Sequence, residues 1–387
     1  MNNDSHKTIG LMTAIMIGVN AMIGASIFTI PEQLSLTVGP AALLTYAFVI
    51  FGVWCIASSL AYVAQYYATE GSFYSYVSAW AGKKAGLFAA MSYIIGLIIA
   101  LGLLTRITGT YLNTQFPAIP AYILSGIALV LLLITLIAGH KMARWGQIFL
   151  LIFTLAPMII ITALCFSNAS FARLTPFMPH GFGSVFTAMK YVIFGFFGFE
   201  AITSLHNIVD QPEKTVPRAI TWSIAAVSII YVAFILSTLV GIPSELFATH
   251  HSLDKVLYAQ FPQLNWLISM IVWGIIITIL GTIHSMVWAV GTMITSICTL
   301  GNFGYKTTQK QAIIGVGILV YLCSIAFSNL NLFFSLTSIG IISALIMAIM
   351  PVALQKIPVP VRTRIVAYFG LIAAIVMVGY AVLGIIN

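Results

Sequence analysis

Polar residues along this chain come in short clusters, and between them run apolar stretches of membrane-crossing length. A helix needs about 20 mostly apolar residues to cross a bilayer. Eleven stretches meet or approach that length: 8–30, 40–66, 86–112, 121–139, 146–167, 182–206, 217–241, 264–299, 312–327, 332–354 and 365–386. The expected architecture is therefore all-α and integral to a membrane, with about eleven transmembrane helices. Stretches 1 and 6 differ from the rest. The first carries N-A-M-I-G-A-S-I-F at 20–28, and the sixth carries F-G-F-F-G-F-E at 194–200. Both place small residues near mid-membrane. In stretch 6, Gly195 and Gly198, with Gly183 further back, give the chain freedom to unwind. Small residues also serve close helix packing, so Gly24 alone reads either way. The two stretches together, five apart, read as paired broken helices, which point to a transporter binding site.

Composition supports the membrane reading. Of 387 residues, 61% are hydrophobic and 6% charged, against about 25% charged in soluble domains. The formal net charge of +8 forms no clustered basic face, so a nucleic-acid partner is not expected. Placement of the basic residues matters more. With the N-terminus inside, the inner segments hold Lys7, Lys83, Lys84, Lys141, Arg144, Lys214, Arg218, Lys306, Lys310, Lys356, Arg362 and Arg364. The outer loops hold Arg173 and Lys255, while Arg106 and Lys190 fall within or at the edge of spans. That asymmetry places the N-terminus in the cytoplasm and, with an odd number of spans, the C-terminus outside. The four cysteines lie in apolar stretches without CxxC spacing and read as small core residues. The first stretch runs on past its small residues, which suits a retained helix rather than a cleaved leader.

A broken helix exposes backbone N–H and C=O groups, tolerable in a membrane only where they line a cavity or meet a ligand. The N-terminus of a half-helix suits a carboxylate, and freed carbonyls suit an ammonium group. Two such breaks side by side describe a site for a zwitterion. Glu200, two residues beyond Gly198, has two readings: it exchanges a proton during the cycle, or it holds the broken region by hydrogen bonds.

At these residues the chain resembles a known family. The stretch I-G-A-S-I-F (23–28), the run E-G-S-F-Y-S-Y-V (70–77), and G-F-E-A (198–201) followed by D-Q-P-E-K-T-V-P-R-A-I (210–220) are similar to the amino acid–polyamine–organocation (APC) permeases. The likeness covers roughly residues 8 to 354. It implies a five-plus-five inverted-repeat (LeuT-like) fold with helices 1 and 6 broken. Residues 8–167 would form one repeat, 182–354 the other, and 365–386 an extra C-terminal helix. It also implies alternating access around a substrate held near mid-membrane. The carboxylate-binding turn would fall on Gly24, Ala25 and Ser26. The carbonyls of Met22, Phe194 and Phe197 would hold the amine, with Gly198 at the break and Phe194 gating the substrate. The chain departs from the family in three places. Ser26 stands where glycine is usual, adding a donor and taking space. Eleven spans stand where twelve are usual. Span 5 lacks the lysine that some proton-coupled members carry.

Other ionisable residues divide between function and packing. Arg106 faces a vestibule, snorkels outward or pairs with a carboxylate. Lys190, about a turn and a half before the break, would add to the same positive field. If both face the cavity, a neutral or acidic substrate is favoured over a cationic one. His206 and His284 are lone histidines on apolar helices, and His284 has the better claim because span 8 borders the site in this fold. Thr278, Thr282 and Ser285 offer oxygens to sodium, although such hydroxyls usually bond their own backbone. Glu70, Gly71 and the loop 210–218 read as an inner gate or as rigid turns. No metal-ligand spacing, nucleophile–base pair or phosphate loop occurs, so neither cofactor nor catalysis is expected. The expected protein is a multi-pass amino-acid transporter of a bacterial inner membrane, a proton symporter or an exchanger. The bilayer and a small-molecule amino acid substrate are its partners, and a homodimer is one assembly. The rival reading is a non-transporting amino-acid sensor or a channel.

Overall fold

The computed structural model describes residues 9–24, 26–67, 72–137, 144–205, 209–300, 307–327 and 329–386. Sixteen α-helices occur among them. Span 1 is a bent pair, α1 (Leu11–Met22) and α2 (Ser26–Thr37), meeting at 46°. Span 2 is α3 (Ala42–Tyr66), and a short helix α4 (Ser72–Ala81) leads into span 3, α5 (Lys83–Gln115). Spans 4 and 5 are α6 (Ala121–Ile137) and α7 (Arg144–Ser167). Span 6 comprises α8 (Gly183–Thr187), α9 (Met189–Phe194) and a 3₁₀ turn, Phe199–Leu205. Span 7 is α10 (Pro212–Gly241), followed by two short helices, α11 (Ser244–His250) and α12 (Leu253–Gln260). Spans 8 to 11 are α13 (Asn265–Leu300), α14 (Gln309–Ala326), α15 (Leu330–Ala353) and α16 (Val361–Ile386).

Eight of these elements are long and apolar enough to cross a membrane, the bent pair makes a ninth, and α6 and α7 supply shorter apolar helices. Each lies on one of the eleven expected stretches, so the chain is an integral membrane protein. Span 7 starts earlier than expected. Pro212 occupies its first turn, where a missing N–H is harmless, and Pro217 falls inside the helix. The Thr308–Gln311 capping box opens α14, satisfying two end donors reciprocally. Large apolar side chains remain exposed along α16, among them Ile365, Phe369, Ile372 and Ile375, as a helix face against lipid requires.

Three contacts position the centre. Spans 3 and 10 cross backbone to backbone at Gly96 and Gly340, where an added Cβ would meet the partner main chain, and Ser92 donates to the Gly340 carbonyl at 3.0 Å. Helices α11 and α12 lie as a lid against α2, pinned where Thr114 of span 3 donates to the buried Asp254 at 2.9 Å. At the opposite end, Asp210 N–H donates to the Ile9 carbonyl at 3.0 Å, joining the entry to span 1 to the loop before span 7.

Candidate functional site

Helix α1 ends at Met22, and α2 opens at Ser26. The first N–H groups of a helix have no partner within it, so α2 presents donors toward the break. Span 6 loses α-helical geometry after Phe194. Its N–H groups there bond three residues back: Gly195 to Val192, Phe196 to Ile193, and more weakly Phe197 to Phe194 at 3.4 Å. Gly198 then takes φ +120°, a conformation that side-chain-bearing residues rarely adopt. A Cβ on Gly198 would stand 2.5 Å from the Ala21 carbonyl oxygen and 3.0 Å from the Met22 nitrogen. The two breaks therefore touch, main chain against main chain.

Glu200 secures span 6. Its Oε2 accepts from the Gly198 N–H at 2.9 Å, and its Oε1 accepts from the Tyr93 hydroxyl of span 3 at 3.0 Å. The residue is 1% exposed, so these two donors replace the water it lacks. Tyr93 is itself held by Phe73 of α4, their ring centroids 4.4 Å apart. Tyr231, on span 7, secures both breaks together. Its hydroxyl lies 2.9 Å from the Met22 carbonyl and 2.9 Å from the Gly195 carbonyl, with the Ser26 side chain also in reach. The Gly24 N–H donates to the same Met22 carbonyl at 2.9 Å. That oxygen, expected to hold an amine, already has two donors in this state. On span 8, the Thr282 side chain packs where a Cβ of Gly24 would be, 3.2 Å away at the nearest atom.

The aromatic wall is tighter than its linear sequence suggests. Phe194 meets Phe197 edge-on at 6.3 Å and Phe334 of span 10 at 4.9 Å. Met22, Gly24, Ser26, Phe194, Phe197, Gly198 and Glu200 converge here and are all buried. Ala25 lies outside the described residues, as do His206, Glu70 and Gly71. Arg106 is placed elsewhere: its guanidinium donates to the Phe327 carbonyl at the end of span 9. The Lys190 Nζ packs against Gly384 of span 11 and lies 5.1 Å from the Tyr191 ring centroid. His284 is half-buried on α13, two residues beyond Thr282. The span 8 hydroxyls bond carbonyls: Thr278 to Phe153 and Gly274, Thr282 to Thr278, and Ser285 to Gly281. Among the described residues no cluster of His, Cys, Asp or Glu has the makings of a metal site.

Sequence reasoning missed Tyr93, Tyr231 and Phe334. A tyrosine deep in an apolar span was the available signal for the first two, because a buried hydroxyl needs a partner. Phe334 carried none.

Two broken membrane helices thus meet main chain to main chain beside a wall of phenylalanine rings. The sequence profile of the amino acid permease family matches residues 9–387, and the chain belongs to that family. Among its relatives are the branched-chain amino acid permease BcaP of Bacillus subtilis (strain 168), 26% identical over 68% of this chain and 61% of that protein. The gamma-aminobutyric acid permease of Escherichia coli (strain K12) is 30% identical over 59% of this chain and 52% of that protein. An uncharacterized transporter of Mycobacterium tuberculosis (strain ATCC 25618 / H37Rv) is 29% identical over 58% of this chain and 53% of that protein. The matches thus span between half and two thirds of these relatives' own lengths.

Proposed function

We propose that this chain is a secondary transporter that moves a neutral, apolar amino acid by alternating access. The observation that carries the proposal is the meeting of the two breaks at Gly198 and Ala21, with Tyr231 bonded to carbonyls of both. Carbonyls freed at Met22 and Phe197 would receive the ammonium group, and the N–H groups opening α2 near Ser26 would receive the carboxylate. For Met22 this requires the Tyr231 hydroxyl to withdraw, so substrate entry and release of the Tyr231 bond are one event. The all-buried site is a closed state, and opening at either end would alternate.

The substrate side chain would lie against Phe194, Phe197 and Phe334. These rings offer apolar area and no fixed charge. Arg106 and Lys190 contact a carbonyl and a glycine on other spans, which supports a neutral substrate over an acidic one. The name of the B. subtilis relative specifies branched-chain amino acids, a class this wall suits. Glu200, with a donor on each oxygen, holds the break; the proton-exchange role has less support. The positive-inside pattern would put the lid end outside and the N-terminus in the cytoplasm of a bacterial inner membrane. The division into repeats at 8–167 and 182–354, with 365–386 as an added helix, belongs to the same proposal.

The test is counterflow in liposomes. Vesicles containing the protein are loaded with unlabelled amino acids, and uptake of each labelled amino acid is compared with unloaded vesicles. Leucine, isoleucine or valine is expected to accumulate in loaded vesicles. Accumulation in unloaded vesicles too, raised by an inward proton gradient, would make the protein a symporter rather than an exchanger. Binding without uptake, in folded protein, would favour the sensor.

A further inference from the structure

A cavity of about 400 Å³ lies at the lid end, behind α2 and away from the breaks. Its volume suits a small molecule. Its walls are Pro31, Leu34 and Ser35 of α2, the loop between spans 5 and 6, the end of α10, and the start of α11. Arg173 and Glu245 both line it. One guanidinium nitrogen of Arg173 donates to the carbonyls of Asn168 and Val240, fixing the group to the wall. A guanidinium has five N–H donors, so these bonds leave others for a ligand. Glu245 is exposed at the rim, and no ion pair joins it to Arg173 among the described residues. Opposite charges thus line one cavity without pairing, and His180 lines it beside them.

That charge pattern selects the ligand. A simple anion would meet Glu245, and a simple cation would meet Arg173. A zwitterion satisfies both, its carboxylate on Arg173 and its ammonium on Glu245. Pro31, Pro40, Pro176, Pro179 and Pro243 supply rigid apolar surface without N–H groups, which suits a short apolar side chain. We infer that this cavity binds a second amino acid molecule, and that its occupancy wedges α2 against the lid. The binding stands on the cavity itself; its effect on transport rests on the transporter reading above. Because α2 is half of broken span 1, a ligand there restrains the element that alternating access must move.

The experiment is equilibrium binding of labelled leucine to purified full-length protein, with counterflow measured in parallel. Two sites per chain are expected. Glu245→Gln should weaken one at least tenfold and leave the other, while Gly24→Leu should remove the other. High external leucine should slow counterflow at least twofold in the parent protein and not in Glu245→Gln. Arg173→Gln should behave as Glu245→Gln does; because Arg173 also holds two carbonyls, a variant that fails to fold leaves Glu245→Gln to decide. A single site that Gly24→Leu abolishes and Glu245→Gln spares overturns the inference and leaves the transporter reading standing. Two sites without any counterflow would uphold the second site and overturn the transporter reading. Acetate competing as well as leucine would overturn the zwitterion assignment.

Discussion

In span 1 the chain leaves helical geometry between Met22 and Ser26, and side chains from distant spans secure it: Tyr231 on α10 bonds the Met22 carbonyl, and Thr282 on α13 packs beside Gly24. In span 6 Tyr231 and Tyr93 contribute as well, but more of the work is done from within. Successive N–H groups bond three residues back, and the Glu200 carboxylate turns back to the Gly198 N–H. The two also differ in tolerance. A Cβ at Gly24 would press on the Thr282 side chain at 3.2 Å, whereas one at Gly198 would strike the main chain of span 1 at 2.5 Å. A side chain can rotate away; a backbone in a packed helix cannot. Span 1 is thus the break with room to loosen, and span 6 is the fixed surface it would loosen against.

Gly198→Ala puts this contrast under the greatest load. Positive φ and the backbone clash together should cost on the order of 3 kcal/mol. The expected outcome is protein with a sharply lowered Tm in detergent and no measurable uptake. A variant with unchanged Tm would refute the close approach. Glu200→Gln comes next. The amide oxygen can keep the Gly198 N–H, but its NH2 must then donate to the Tyr93 hydroxyl oxygen, which leaves the buried Tyr93 proton without its acceptor, at about 1–2 kcal/mol. Counterflow should fall at least about tenfold, equivalent to about 1.4 kcal/mol. Full retention of rate and Tm would mean that span 6 does not depend on its carboxylate.

Tyr231→Phe should act on both breaks, at about 1 kcal/mol. The Met22 carbonyl keeps the Gly24 N–H and gains an open lone pair for an amine. Substrate binding should therefore tighten while turnover slows, a split visible as lower KM with lower kcat. A rise in KM would contradict the Met22 assignment. The smallest effect belongs to Gly24→Ala, below about 1 kcal/mol. Adding Thr282→Ser, which removes the methyl nearest the new Cβ, should restore most of the lost uptake. If Gly24→Ala proved as damaging as Gly198→Ala, the asymmetry between the breaks would not hold.

Both breaks were legible in the sequence because two small-residue stretches stand at mid-span five spans apart, a pairing that packing alone does not call for. The spans were legible for the complementary reason: lipid tolerates so few charges that the gaps between apolar runs mark the loops. Partnerships were not legible. Whether Arg106 faced a vestibule or a carbonyl depended on the end of span 9 lying at its depth, which no local pattern encodes. Lys190 met Gly384, 194 positions away in the sequence, through the docking of an added helix. Tyr231 sits in S-I-I-Y-V-A-F, a context equally suited to a packing aromatic. Only the crossing of span 7 behind both breaks gave its hydroxyl two carbonyls.

The Tyr231 bonds also bear on how the protein is made. Gly195 precedes Tyr231 by 36 residues and Met22 precedes it by 209. Chains grow from the N-terminus, so span 1 enters the bilayer long before the residue that bonds the Met22 carbonyl exists. Span 6 arrives with its own carboxylate and waits for little. Until the seventh span emerges, the Met22 carbonyl has the Gly24 N–H but not the Tyr231 hydroxyl, so the break is expected to be held less firmly. A nascent chain halted before residue 231 should show the span 1 break protected differently from the finished protein.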